Sequence, residues 1–253
     1  MGQWQKQRIA VVDVETTGFS PVEDRVIEVG IVLFENGEVV ERYGQLVQPG
    51  KAIPEAVVKL TGITDDQVKD APVFKDIARE VESRLKDAII VGYNLEFDKG
   101  FVSAELERVG LDWPDNQPEL DPLIFARQLH KGRGGNKLGQ VAERLGISLE
   151  NAHRAVDDAE ATGHVLFALA EGLPPELEAL LVVQEQWRML QAQERAMRRR
   201  MRGASVLGEE VGSASELETV DGLPALGPAY LYGDETDPLR AMYRTLPDVG
   251  SRR

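Results

Sequence analysis

The first hundred residues alternate between short apolar runs and stretches with helical periodicity. Arg-Ile-Ala-Val-Val-Asp-Val at 8–14 is brief and β-branched and predicts a buried strand. Residues 25–34 and 39–48 predict two more strands, and Asn36-Gly37 between them is a strong hairpin signal. Pro54 to Leu60 and Thr64 to Val68 read as short helical turns. A longer amphipathic helix follows, with Phe74, Ile77, Ala78, Val81 and Leu85 on one face. Ala88 to Gly92 predicts a fourth strand, 96–109 a helix ended by Gly110, and Pro118 to Asp121 a short fifth strand before a helix through Leu129. Two further helices are expected, around Leu138 to Leu145 and Ala155 to Ala170. Three strands with a hairpin connection, then alternating helices and strands, imply an α/β fold: a mixed sheet with helices on its faces.

Past Gly172 the pattern changes. Pro174 to Arg202 reads as one long helix with no strand partners. Its stripe Leu177, Leu180, Leu181, Gln184, Trp187, Leu190 and Ala196 carries one polar interruption. After Gly203 the chain is punctuated by Gly, Ser and Pro and turns acidic, yet it holds Leu223, Leu226, Tyr230, Leu231, Tyr232, Leu239 and Tyr243. The expected division is 1–171, a long helix over 172–203, and a tail over 204–253 that docks on a protein partner or on this chain's own surface.

Composition narrows the chemistry. The 253 residues contain no cysteine, which excludes disulfides, thiolate zinc sites and cysteine nucleophiles. The N-terminus Met1–Arg8 is polar and no apolar run approaches membrane-spanning length, so a soluble cytoplasmic protein without a membrane partner is expected. A net charge of −14 argues against tight nonspecific duplex binding. Its distribution softens that objection. The loop His130 to Lys137 reads as cationic and flexible, and Arg195, Arg198, Arg199, Arg200 and Arg202 form a denser cluster. A cluster of that kind is usually a solvated helix end.

Four short words carry the candidate chemistry: Asp13-Val14-Glu15-Thr16-Thr17-Gly18, Asn94-Leu95-Glu96-Phe97-Asp98, His153 and Asp158. Asp13 and Glu15 lie two apart on a predicted strand and share a face. Two carboxylates on an otherwise apolar strand repel unless a cation neutralises them, and acids are poor strand formers. Metal ligation is favoured over a plain acidic turn. The Asn94 word also reads as a helix start, with Asn94 as N-cap and acids near the positive end of the dipole; Phe97 reads as core. His153 reaches the same site as Asp158 only from the loop before a helix, because five residues on a regular helix turn Asp158 away. Periodicity leaves Asp157 and Asp158 both open as the partner.

Together these words resemble the DnaQ-like (DEDDh) 3′→5′ exonucleases of the ribonuclease H-like superfamily. Asp-x-Glu-Thr-Thr-Gly, Asn-x-x-Phe-Asp and His-x4-Asp occur in that family's order. The likeness extends to Arg25 to Gly30, Leu60 to Thr64 and the Leu138 to Ile147 helix, about residues 8–170 in all. The resemblance implies a ribonuclease H-like fold with a five-stranded mixed sheet, extended here by C-terminal helix. It implies that Asp13, Glu15, Asp98 and Asp158 hold two Mg²⁺ or Mn²⁺ ions and that His153 is the general base, leaving Asp157 a neighbour. Thr16, Thr17, Gly18, Phe19, Asn94 and Leu95 are then candidates for contact with the terminal nucleotide, with Phe19 or Leu95 stacking on its base. Tyr93 stands where the family often has His, and Asp121-Pro122 where it often has Asp-Thr.

The expected activity is removal of 5′-nucleotides from single-stranded 3′ ends of DNA, in repair or proofreading. Proofreading subunits of replicative polymerases dock through a C-terminal segment, so a polymerase is one candidate partner for the tail. RNA 3′-end trimming is the alternative within the same chemistry. A non-catalytic adaptor and an endonuclease on the same fold are the remaining readings, the adaptor disfavoured because all five catalytic positions are filled.

Overall fold

The computed structural model describes residues 2–149 and 153–208, with side chains of the last helix described as far as Arg198. Strands β1 (Ile9–Thr16), β2 (Val26–Glu35), β3 (Glu38–Leu46), β4 (Ile89–Val91) and β5 (Glu119–Leu120) form one sheet in the order β3-β2-β1-β4-β5. The first three are antiparallel neighbours; β4 runs parallel to β1 and β5 parallel to β4. Asn36 (φ 52°) and Gly37 (φ 81°) make the β2–β3 turn, both left-handed as a two-residue hairpin on twisted strands requires.

Helices cover both faces. On one, α3 (Phe74–Leu85) and α4 (Leu95–Glu107) share an apolar core with Ala10, Val12 and Val14 of β1. On the other, α5 (Pro122–Leu129), α6 (Leu138–Leu145) and α7 (Ala155–Leu169) pack with Ile9 and Val11. The short α1 (Glu55–Thr61) and α2 (Asp65–Val68) close a smaller cluster around Ile27. Asp13 and Glu15 continue the parity of Ile9 and Val11, so strand geometry sends both carboxylates toward the α7 side. There the apolar core ends and polar side chains begin.

Gly30 lets α7 come that close. It pairs with Asp13 in the sheet, and a Cβ built on it would lie 2.2 Å from the carbonyl carbon of Ala155 and 2.3 Å from the amide nitrogen of Val156. Those are backbone atoms and cannot rotate away. Gly30→Ala is therefore expected to cost ~3 kcal/mol or more, lowering the melting temperature by roughly 6–12 °C in a thermal unfolding experiment. An unchanged melting temperature would refute this account of the packing.

Two segments differ from expectation. The polar N-terminus folds as a single 3₁₀ turn, Trp4–Lys6, whose Trp4 ring is buried and stacks on Phe167. Trp4 Nε1 donates to Pro174 O and Gln3 N to Pro175 O, fastening the start of the chain to the approach to α8 (Leu177–Gly208). The loop His130 to Lys137 is clamped: Arg144 donates to the carbonyls of Arg133 and Gly135, and Lys131 pairs with Glu194 of α8. Residues 209–253, with the apolar positions of the expected docking tail, lie outside the described residues, as do the side chains of Arg199, Arg200 and Arg202. Among the described residues, no helix is long and apolar enough to cross a membrane.

Candidate active site

The carboxyl ends of the parallel strands β1 and β4 are where an open α/β sheet leaves room for a ligand. A cleft of about 500 Å³ opens there. Asp13, Glu15, Asp98, His153 and Asp158 all line it, so three separate stretches of sequence meet in one cavity. The ligand atoms of Glu15, His153 and Asp158 lie within 4.8 Å of one another, among the described residues a group able to hold a metal ion.

Each side chain is held by its own element. Asp98, one turn into α4, accepts a hydrogen bond from Val14 N (3.0 Å), the peptide between Asp13 and Glu15. His153 precedes α7 in left-handed backbone (φ 69°), and its N–H donates to Asp158 Oδ2 at 3.0 Å. Of the two aspartates that periodicity left open, Asp158 lines the cleft. Asp157 instead pairs with Arg42 of β3 at 2.6 Å.

Behind the site stand two buried acids that the sequence reading did not single out. Glu28 lies opposite Glu15 on β2; it binds Arg154 through both oxygens (2.7 to 3.2 Å) and accepts from Ala155 N. It thereby ties the His153–Ala155 segment to the sheet. Glu105 of α4 forms a similar pair with Arg25 (2.7 and 2.9 Å). Glu28 sits within the apolar run Val26 to Phe34, the same signal that marked Asp13 and Glu15. Asp121, read only as a departure from the family pattern, caps α5 through Leu123 N and also accepts from Asn94 N, both at 3.0 Å.

Of the other expected contacts, Thr16, Gly18, Phe19 and Asn94 line the cleft. Thr17 and Leu95 do not. The Thr17 side chain is buried and bonded to Asp24 and Arg25, and Leu95 packs into the α3–α4 core, so neither side chain stands at the cleft. Asp24 fills the space beside Gly18, where a Cβ would meet its carboxylate at 2.3 Å. Asn94 occupies the N-cap position but adopts left-handed backbone (φ 73°) and makes no side-chain cap bond. Phe97, expected in the core, does both: it packs on Phe101 at 4.9 Å and faces the cleft beside Phe19. Val57, Leu60, Leu138 and Leu149 form the apolar part of the wall, with Asn136 and Lys137 beside them.

Electrostatics explain what the cleft demands. Burial first, then the negative charges of Asp98, Asp158 and Glu15, push the Asp13 carboxyl well above the usual range. Burial and then Asp158, Glu28 and Asp98 raise Glu15 to about 8. Burial lifts Asp98 despite its bond from Val14 N, and lifts Asp158 to about 6. Like carboxylates this close stay ionised together only if cations accompany them. The donors are oxygens with one imidazole, a set suited to hard divalent ions.

Stability follows. A carboxyl with a raised folded-state pKa binds protons that the unfolded chain releases, so stability falls as pH rises from the unfolded value to the folded one. For Asp158 that window runs from 3.8 to about 6, and for Glu15 from 4.5 to about 8. Metal-free protein is expected to melt several degrees lower at about pH 8 than at about pH 5, and Mn²⁺ at the higher pH is expected to restore the difference. Metal-free melting temperatures that stay level across the window, or ignore Mn²⁺, would contradict the electrostatic reading.

Comparison with known proteins bears on the family and the fold. The model of the RNase_T family, described as exonuclease, matches residues 10–166. The chain is 39% identical over 169 residues to the 3′-5′ exonuclease DinG of Bacillus subtilis, covering 66% of this chain and 18% of that one. It is 42% identical over 159 residues to a PolC-type DNA polymerase III of Lacticaseibacillus paracasei, covering 63% and 11%. The chain thus spans less than a fifth of the length of these curated relatives. The nuclease domain of 3′hExo, a DEDDh family member bound to rAMP, superposes with a TM-score of 0.58 at 20% identity, over 68% of this chain and 95% of that domain. That likeness is one of fold. The sequence match extends over more than half of the chain and takes in every cleft carboxylate, and by it the chain belongs to the RNase_T exonuclease family.

Proposed function

We propose that this protein is a 3′→5′ exonuclease that removes 5′-nucleotides from DNA ends with two divalent cations, Mg²⁺ or Mn²⁺. The observation that carries the reading is the meeting of Asp13, Glu15, Asp98 and Asp158 with His153 in one cleft. Four carboxylates with raised pKa values need compensating charge, and bound cations would supply it together with Lewis acidity at the phosphorus. Asp13, Glu15, Asp98 and Asp158 would hold them. Neutral His153 accepts a proton from the attacking water. Phe19 and Phe97 offer aromatic surface to the terminal base, and Thr16 and Gly18 line the approach to its sugar. DNA is favoured because one of the relatives named above is a DNA polymerase. In this reading residues 1–171 are the exonuclease unit, 172–203 an added helix and 204–253 a segment for docking a protein such as a polymerase.

The test uses 5′-labelled single-stranded DNA and RNA of one sequence, with Mg²⁺, Mn²⁺ or EDTA. A ladder shortening from the 3′ end of DNA, abolished by EDTA, is expected. Digestion of RNA alone would move the substrate to the RNA-trimming alternative. Cleavage of a circular single strand would replace the exonuclease reading with an endonuclease, and no cleavage with either metal would remove the catalytic reading.

A further inference from the structure

Helix α8 lies beyond the stretch that matches the exonuclease family, yet it is joined to the fold by buried polar contacts. Leu180 is buried and Trp187 packs edge-on against Phe125, which seats the helix on α5. Two glutamines on the same face, Gln184 and Gln191, are also buried. A buried amide needs partners, and each of these finds a backbone group. Gln191 Nε2 donates to Ile124 O at 2.9 Å, inside α5. Gln184 is engaged on both sides. Its Oε1 accepts from Asp121 N at 2.7 Å and its Nε2 donates to Glu119 O at 2.9 Å, so one side chain grips the end of β5.

What it grips leads to the cleft. The Asp121 carboxylate accepts from Asn94 N at 3.0 Å, and Asn94 is held in left-handed backbone immediately before α4. Few residues besides glycine adopt that conformation, asparagine among them, and here the bond to Asp121 fixes it. Asp98 follows one turn later and reaches β1 through Val14 N. We infer that Gln184 is a positioning residue: by fixing Asp121, whose carboxylate holds Asn94, it sets where α4 begins and so where Asp98 stands. The appended helix is then part of the site's support. The inference rests on the exonuclease reading for its catalytic consequence but not for its structural one.

Gln191 is the internal control, being a second buried glutamine on the same helix that bonds the same layer without touching Glu119, Asp121 or Asn94. Gln184→Met and Gln191→Met keep length and volume while removing the amide. Two quantities are read on the full chain: amide hydrogen exchange over residues 92–98, and kcat and KM on a single-stranded DNA oligomer with Mn²⁺. Gln184→Met is expected to speed exchange in that segment about 10-fold, the scale of one lost buried hydrogen bond. It is expected to lower kcat by about 10-fold or more with KM little changed, the usual scale for loss of support behind a site. Gln191→Met is expected to do neither. If Gln184→Met leaves either quantity at the wild-type value, or Gln191→Met reproduces both changes, the inference is overturned. Gln184→Ala, read by the same criteria, replaces the methionine variant if that one does not fold. Should wild-type protein cleave no oligomer, the exonuclease reading fails and the exchange measurement alone decides the positioning role.

Discussion

Asp13→Asn is expected to abolish nuclease activity while making the metal-free protein more stable. The two effects have one cause. Asp13 is partly buried and faces the charges of Asp98, Asp158, Glu15 and Glu28, and loss of hydration first, then those charges, push its pKa up. At neutral pH an ionised Asp13 is tolerable only beside a cation. Asparagine keeps the shape and removes the charge, so the repulsion falls and the metal-free melting temperature rises. The same change removes a central proposed ligand. Charge stabilisation by a bound metal is worth several kcal/mol in such reactions, so ~10³-fold or more of the rate should go with it. Thermal melts in EDTA and digestion of a labelled DNA oligomer with Mn²⁺ test both halves. A variant within tenfold of wild-type activity would remove Asp13 from the centre of the chemistry. A melting temperature below wild type would show that Asp13 stabilises the fold, contrary to the electrostatics. Trade-offs of this kind are common where function demands charges that folding disfavours.

How much of this was legible beforehand depends on the range of the interaction. The Asn36-Gly37 hairpin is local and was plain, as was the shared face of Asp13 and Glu15, which needs only strand parity. The order of elements and the mixed sheet followed from alternating periodicities, and the family resemblance carried the rest of the topology. The pairing of His153 with Asp158 was not legible from periodicity, because it depends on His153 standing in left-handed backbone before α7 begins. Helix registry applies only inside the helix. By periodicity Asp157 is an equal candidate, and its ion pair with Arg42 joins residues too distant in sequence for any local pattern to show. The same holds for Gln184, which marked only a polar gap in an apolar stripe: nothing local says that its partner is the backbone of Asp121. Trp4 was hidden by polar neighbours, since three residues are too few for a period to show. Leu95 reads as a candidate for stacking on the base, while its place on α4 turns its side chain into the core.

His153→Ala should lower turnover by ~10²–10⁴-fold, the usual worth of a general base, and leave the fold and the cleft carboxylates in place. The side chain stands at the cleft wall, held from behind by its own N–H on Asp158 and by the Glu28–Arg154 pair that anchors the next residue. Incomplete hydration there, and then the positive charge of Lys137, hold its pKa below the usual histidine value. The sign matters for a base. A lowered pKa keeps the imidazole neutral, and able to accept a proton, further into the acid range. The acid limb of the rate should therefore fall off below the ordinary histidine pKa in the wild type. Replacing Lys137 with Met removes the repulsion and should move that limb toward higher pH. His153→Ala should lose the limb and regain part of its rate when imidazole is added. Single-turnover digestion of one DNA oligomer across pH, with metal held constant, separates these outcomes. Near-full activity in His153→Ala would reject His153 as the base. A loss of rate with the acid limb unchanged would show that another group accepts the proton, since the backbone N–H of residue 153 still bonds Asp158 in the variant.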